Sequence, residues 1–518
     1  MLSKSPNSAG LSIIEVWSRL TPQQQVLAYA LLAVLTSIGV MRLSPLLLSK
    51  LGAAFRRFGF SSLLGRGSRA RAEIRVGGLR LSDEARMRHT HIIGATGSGK
   101  TVMMEHLIYR DLARGYGALI IDPKGERDLY DRIKSYCKKI GRLQDLHLLS
   151  ATHMEESARW NPCRLGSPSE LQSKFYCSAK YEHSFFAKAA ELSLLRAFES
   201  GTQKHADVLL LGDLVEELDT QSSGGRDENL KGLYFDIQNL AQGEWSPVLC
   251  MAEKPGNQTE VSLLDITRKN EILFVDLPTE GKSVQSSRVG SLLLQEVTLL
   301  SGIRKRMPAV RSDRPFGIFV DEFDAFATEP FVSFLNKGRS SDFMITVAHQ
   351  TLSDLDKVSP TFKGQVMGNF NIFLVFRINT ADDAEHIAKL FGTRRAIKRT
   401  HQTDGNEVSG KGSQREVQEF RIHPDSIKEL STGTCVASIK TSRFLELISV
   451  PMLDFSRLTY PKVPIHGDLA TARKTVLRPS LSDVEETYSG LIAELEGPLP
   501  KKTTSQPRRL PGRKKESS

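Results

Sequence analysis

Six short runs of the chain are apolar at almost every position: HII (91–93), ALIID (118–122), EILFVDL (271–277), FGIFVDE (316–322), FMITVAHQ (343–350) and NIFLVFRI (371–378). Segments of helical periodicity lie between them. Strands with no polar side must be covered on both faces, so the pattern predicts an α/β fold built on a mainly parallel sheet with helices on each side. Ahead of these runs, EIRVGGLRL (73–81) alternates about Gly77 and Gly78 and predicts a small hairpin. From about Ser167 to Trp245 the strand rhythm stops. Ser167-Pro168-Ser169-Glu170 has the form of a capping box with proline at the first helical position. Phe185, Phe186, Ala189, Ala190, Leu194 and Phe198 then recur mostly at three- and four-residue steps, so an all-helical insertion in the α/β body is expected.

The two ends read differently. Residues 26–41, VLAYALLAVLTSIGVM, are apolar and uncharged. As a helix they would span roughly 24 Å, short of the ~30 Å hydrocarbon core, but Leu43 and Leu46 to Leu48 can extend the span if Arg42 snorkels. This predicts a retained N-terminal transmembrane helix, and the basic residues that follow it place the body in the cytoplasm. At the other end, Ser482-x-x-Glu485 opens a short amphipathic helix, and the Lys/Arg/Pro-rich tail after Gly497 is expected to be disordered. The expected organisation is an N-terminal segment (1–25), an anchor (26–48) and a basic juxtamembrane linker (49–71). A nucleotide-binding domain in two parts (72–165 and 263–456) then brackets the helical insertion (166–262), and a C-terminal extension (457–518) closes the chain.

Charge changes this picture little. The formal net charge is +11, but the excess sits in residues 42–71 and 501–518, leaving a nearly neutral body. Global charge is therefore no argument for nucleic-acid binding. The five cysteines show no C-x-x-C spacing, which fits a reducing compartment and argues against a disulfide framework or zinc site.

The chemistry concentrates in a few places. GATGSGKT follows one predicted strand and opens an amphipathic helix, the context a phosphate-binding P-loop requires. Gly94, Ala95, Thr96, Gly97, Ser98 and Gly99 would offer backbone N–H groups to the phosphates. Lys100 would neutralise the β- and γ-phosphates, and Thr101 would ligate Mg²⁺. FGIFVDE then supplies carboxylates at a strand end: Asp321 for Mg²⁺ and Glu322 as general base. Asp122 and Asp276 also end strands but lack an adjacent glutamate. In NKGRSSDFMITVAHQ, Arg339 precedes a strand beside the Asp-Glu strand and Gln350 closes it. Arg339 is a candidate trans-acting arginine and Gln350 a sensor of the γ-phosphate or its water. Arg304-Lys305-Arg306 reads as a solvated helix end. Arg394, Arg395, Lys398 and Arg399 follow the last expected strands in a segment that either faces a polyanion or is a solvated loop. His89-Thr90-His91 has H-x-H spacing but no carboxylates beside it, so structural histidines are expected.

Taken in order, HTHIIGATGSGKT, ALIIDPKGE, ARWNPCR, EILFVDLPTEGKS, FVDEFDAF, LNKGRSSDFMITVAHQTLSDL and GNFNIFLVFRI resemble the type IV coupling proteins, the TraG/TraD class of conjugation ATPases. The resemblance covers roughly residues 72–455. It implies an inner-membrane-anchored RecA-like ATPase with an inserted helical domain, using ATP and Mg²⁺. It further implies a hexamer that links relaxase–DNA cargo to a type IV secretion channel and drives DNA transfer. By position it gives Lys100 and Thr101 to nucleotide binding, Asp321 and Glu322 to hydrolysis, Arg339 to a finger acting in the next subunit, and Gln350 to the sensor. Many relatives have two membrane spans and some end in an acidic tail, whereas this chain shows one convincing span and a basic end. A nucleotide-dependent adaptor for protein cargo and a channel-energising assembly ATPase are the competing readings.

Overall fold

The computed structural model describes residues 73–453, apart from residues 126, 180, 182–183, 206–207, 251–258, 280–282 and 405–406. The expected anchor, juxtamembrane linker and C-terminal helix lie outside the described residues. Among the described residues no helix is long and apolar enough to cross a membrane.

Strands β1 (Glu73–Val76) and β2 (Leu79–Ser82) form the expected antiparallel hairpin, followed by the short helix α1 (Asp83–Arg86). The main sheet takes β3 (Thr90–Ile93), β4 (Gly117–Asp122), β5 (Leu146–Ser150), β8 (Ile272–Asp276), β9 (Phe316–Val320), β10 (Phe343–His349), β11 (Ile372–Val375), β14 (Thr434–Ile439) and β15 (Phe444–Ser449). Its nine strands run in the order β15-β14-β11-β3-β10-β9-β4-β8-β5. From β11 to β5 every pairing is parallel, and β14 and β15 add antiparallel at one edge. A short parallel pair, β6 (Arg159–Trp160) with β7 (Glu260–Val261), lies outside the sheet.

Alternation along the buried strands divides the core in two. Ile92, Ala118, Ile120 and Phe319 point to one face, where α2 (Lys100–Ala113) and α3 (Arg127–Lys139) cover them with Met103, Leu107, Ile108, Leu129 and Ile133. Ile93, Leu119, Ile121, Ile318 and Val320 point to the other, beneath Leu292, Leu293, Val297 and Leu300 of the long helix Ser283–Arg306. Helices thus cover both faces of the sheet, as strands apolar on both sides require.

Between β6 and β7 the chain forms helices Pro168–Cys177, Ser184–Lys204, Leu211–Ser222 and Lys231–Gln242. The first begins with the capping box read from sequence: the Ser167 hydroxyl accepts from the Glu170 N–H, and the Glu170 carboxylate accepts from the Ser167 N–H. Their apolar faces join the core beneath Ser283–Arg306. Buried polar groups fix the join. Lys174 Nζ lies 3.1 Å from Glu296 on the long helix, Trp160 donates its indole N–H to the same carboxylate, and Arg288 binds Asp236 and the Ser178 hydroxyl.

Two sequence expectations are corrected. Arg304 is not a solvated helix end: it is fully buried over the Phe343 ring at 4.6 Å, where burial pushes its guanidinium pKa down to about 10. The last turn of its helix packs against the start of β10, so burial overrides the polar sequence there. The 394–399 basic cluster is likewise no loop after the last strands. It lies on β12 (Thr393–Asp404), which pairs with β13 (Glu407–Phe420) in a long antiparallel ribbon, and two sheet strands follow.

Candidate functional site

β3 is an inner strand of the sheet, and the chain leaving its carboxyl end must turn sharply to enter α2. Gly97 and Gly99 take φ of +70° and +116°, conformations a side chain disfavours, and a Cβ at Gly99 would lie 3.1 Å from the Phe376 ring. The Ala95 N–H donates to the Arg377 carbonyl, and the Ser98 hydroxyl donates to the Ala95 carbonyl. The loop therefore hangs between β3 and the segment after β11. Lys100 folds back, donating to the carbonyls of Gly94 and Ala95 at 2.7 and 3.2 Å. Burial lowers its pKa while Asp321 opposes the shift.

A cleft of about 300 Å³ opens over this loop, lined by Thr96, Gly97, Gly99, Lys100, Thr101, Lys124, Asp321, Glu322 and Gln350 among others. Parallel register explains the convergence. β4 and β9 are adjacent, with Ile121 opposite Val320, so the residues just past both strands face the P-loop from one side. Asp321 holds its place through its N–H, which donates to the Ile121 carbonyl. Its carboxylate stands 3.4 Å from the Thr101 hydroxyl. Glu322 follows in a left-handed conformation, φ +42°, rare for a side-chain-bearing residue and a form of local strain found at functional sites. The turn points its half-buried carboxyl into the cleft, where burial and then Asp321 raise its pKa. A carboxylate whose proton affinity is raised is a better base.

Gln350 reaches the same cleft from β10. Its Oε1 accepts from the Thr96 hydroxyl of the P-loop at 2.9 Å. Arg339 does not reach it. It sits in the 3₁₀ turn Arg339–Ser341, after helix Pro330–Gly338 and before β10, with its side chain exposed. Gln350 follows the other end of that strand, roughly 20 Å away at 3.3 Å per residue. The fold thus gathers Lys100, Thr101, Asp321, Glu322 and Gln350 within one chain and sets Arg339 apart from them. Of the competing carboxylates, Asp276 accepts from the Ser150 hydroxyl, while Asp122 is buried beside the cleft and accepts from the Lys124 N–H, with burial pushing its pKa up to about 7.

Three contributors had no role in the sequence reading. Lys124, in the DPKGE segment, donates to both Thr101 Oγ1 and Asp321 Oδ2 at 2.9 Å. Thr432 and Gly433, in the turn just before β14, close another side of the cleft, and the Gly433 N–H donates to the Ser98 carbonyl. His349 forms a buried pair with His91, Nε2 to Nε2 at 2.6 Å. Its Nδ1 lies 2.8 Å from the Thr351 carbonyl and must carry a proton there, so its Nε2 accepts and His91 Nε2 donates. His91 Nδ1 is then a bare acceptor and has no hydrogen-bond partner. Burial depresses both imidazoles, His349 to about 4, so the pair is neutral. The H-x-H histidines are both buried, His89 Nε2 lying 2.9 Å from the Leu335 carbonyl and His91 paired with His349. A larger cleft of about 800 Å³ lies by Tyr181, Phe186 and Leu233, but its buried Arg288 is engaged with Asp236 and Ser178.

Two family models match the chain: the type IV secretion-system coupling protein DNA-binding domain over residues 73–135, and the TraM recognition site of TraD and TraG over residues 315–432. A 62-residue stretch is 40% identical to the type 4 coupling protein DotL of Legionella pneumophila (strain Philadelphia 1), covering 12% of this chain and 8% of that protein. The fold is similar to the bacterial conjugative coupling protein TrwBdeltaN70 in its unbound monoclinic form, with a TM-score of 0.59 and 16% identity over 74% of this chain and 89% of that one. It is also similar to the plasmid coupling protein TrwB in complex with ADP and Mg²⁺, with a TM-score of 0.57 and 16% identity over 75% and 90% of the two chains. A P-loop at an inner strand of a mainly parallel sheet, helices inserted ahead of the Asp-Glu strand, and family matches on both sides of that insertion agree: over residues 73–135 and 315–432 the chain is similar to the type IV coupling proteins.

Proposed function

We propose that this protein is an ATP- and Mg²⁺-dependent coupling ATPase that passes relaxase–DNA cargo to a type IV secretion channel. The observation that carries the reading is the convergence of Lys100, Thr101, Asp321, Glu322 and Gln350 on one cleft from three separate strand ends. The donor set fits the group it would hold. Backbone N–H groups of a P-loop suit phosphate, and a hydroxyl with a carboxylate 3.4 Å away suits a hard divalent cation. When bound, that cation would neutralise charge on the phosphate oxygens.

The chain's own residues supply the remainder. The P-loop amides and Lys100 bind and orient the phosphates, Thr101 and Asp321 hold the cation, and Glu322 takes the proton of the attacking water. Gln350, tied to Thr96, reads whether a γ-phosphate is present. Arg339 acts on the nucleotide of an adjacent subunit, which requires a ring, in our reading a hexamer. The segment 26–48 anchors the assembly in the inner membrane with the ATPase body in the cytoplasm, its domains divided as read from sequence. TrwB in complex with ADP and Mg²⁺ supports the ligand assignment, and the DNA-binding-domain match supports DNA as cargo.

Hydrolysis by the full-length chain, measured with and without single- and double-stranded DNA, tests the reading. DNA should stimulate turnover, and Lys100→Ala should abolish it. An ATPase indifferent to DNA would sink the pumping role. Cargo transfer left intact by Glu322→Ala would favour the adaptor reading instead.

A further inference from the structure

The side chain least accounted for in the cleft is Lys124. Its loop is held rigidly between β4 and β8. The Leu277 N–H donates to the Asp122 carbonyl, the Thr279 N–H donates to the Pro123 carbonyl, and Gly125 at φ +69° packs so closely on Pro278 that a Cβ would lie 2.7 Å from its ring. This anchoring fixes where the lysine stem starts. Its ammonium then lies 2.9 Å from Thr101 Oγ1 and 2.9 Å from Asp321 Oδ2, bridging the two groups assigned to the divalent cation. Asp321 is almost fully buried and Lys124 one-third exposed, so the carboxylate depends on this contact more than the lysine does.

We infer that Lys124 is a built-in occupant of the divalent-cation position, a monovalent stand-in that must leave before Mg²⁺ can enter. The inference rests on the ATPase reading and goes further in assigning a threshold for Mg²⁺ to one residue. The physical ground is exclusion. A cation ligated by the Thr101 hydroxyl at ~2.1 Å cannot share that oxygen and the Asp321 carboxylate with an ammonium 2.9 Å from both. Two positive charges at that spacing repel strongly in a partly buried cleft. The stem of Lys124 is flexible and its exposed side gives the ammonium a way out, so displacement needs no backbone movement. The P-loop lysine is not equivalent: Lys100 is bound to its own loop carbonyls and touches neither group at hydrogen-bond distance.

Mg²⁺ titrations of the full-length chain at saturating fluorescent ADP analogue, wild type against Lys124→Met, test the inference. Methionine keeps the stem and removes the charge. Removing the competitor should lower the Mg²⁺ midpoint roughly fivefold, the equivalent of one partly exposed ion pair. Without nucleotide or metal, the variant should also melt at a lower temperature than wild type, with added Mg²⁺ narrowing the gap. Lys124→Gln is read in the same way should the methionine variant fail to fold. A midpoint that is unchanged or higher overturns the inference while leaving the ATPase reading intact. A wild-type chain that binds no nucleotide at any Mg²⁺ concentration removes both.

Discussion

Three buried histidines, His89, His91 and His349, set a pH limit on the fold. His89 is depressed to about 4 by burial, with a contact from Nε2 to the Leu335 carbonyl partly opposing it. His349 is depressed to about 4, and His91 lies well below its ordinary value. In the unfolded chain all three would titrate near 6.5. Above that pH neither state binds protons, so nothing is lost. As the pH falls from 6.5 towards 4, the unfolded chain takes up protons that the folded chain refuses, and stability drops. At pH 5 the loss should be on the order of 2 kcal/mol each for His89 and His349. Denaturant melts at pH 8 and pH 5 would measure it, and His91→Leu/His349→Met should flatten the slope. The residue scale is also where sequence reading was strongest and weakest. GATGSGKT and the Asp321-Glu322 pair announce themselves because their chemistry needs fixed spacing in a short window. His349 and Lys124 do not, because their partners lie 258 and 197 residues away.

Among the elements, the insertion is held to the long helix Ser283–Arg306 by a buried ion pair. Lys174 and Glu296 are both almost wholly inaccessible, and Glu296 also accepts from Trp160. Lys174→Met leaves a carboxylate without its charge partner in a dry interface, which should destabilise the protein by about 3–5 kcal/mol. Lys174→Met/Glu296→Leu should recover most of that loss, since matched apolar groups suit the same space. Thermal or urea unfolding of the three variants distinguishes a broken pair from a packing defect. The six buried strands and the start of the first inserted helix were legible because burial on two faces, or a capping box, leaves a local mark. β5 and β14 were not: LHLLS is a sheet edge with two half-buried residues, and TCVASI is built largely from small side chains. The β12–β13 ribbon was missed for the opposite reason. It is exposed along most of its described length, so no apolar periodicity betrays it. Arg304 failed as a sequence reading because its burial comes from tertiary contact with Phe343, which no local pattern encodes.

For the whole molecule, the decisive question is what Arg339 does. Its exposed side chain stands at the opposite end of β10 from the cleft of its own chain. If it completes the site of an adjacent subunit, Arg339→Ala should bind nucleotide normally and lose turnover by roughly 10³-fold or more. Mixed with wild type, it should suppress activity beyond its share of subunits. Turnover across a series of mixing ratios measures this. A linear fall in proportion to the mutant fraction, or loss of nucleotide binding, would remove the trans assignment.

One strand would then serve two clocks. β10 is buried at every position and is paired to β9 over Phe343–Val347 and to β3 over Thr346–His349, so each of its ends is tied to a neighbouring strand. Gln350 at its exit is tied to the P-loop through Thr96, while Arg339 stands ahead of its entrance. A shift of this rod when a nucleotide changes state in one subunit would alter how far the arginine reaches into the next. Such a linkage would impose an order of firing around the ring, with each subunit's turn set by its neighbour.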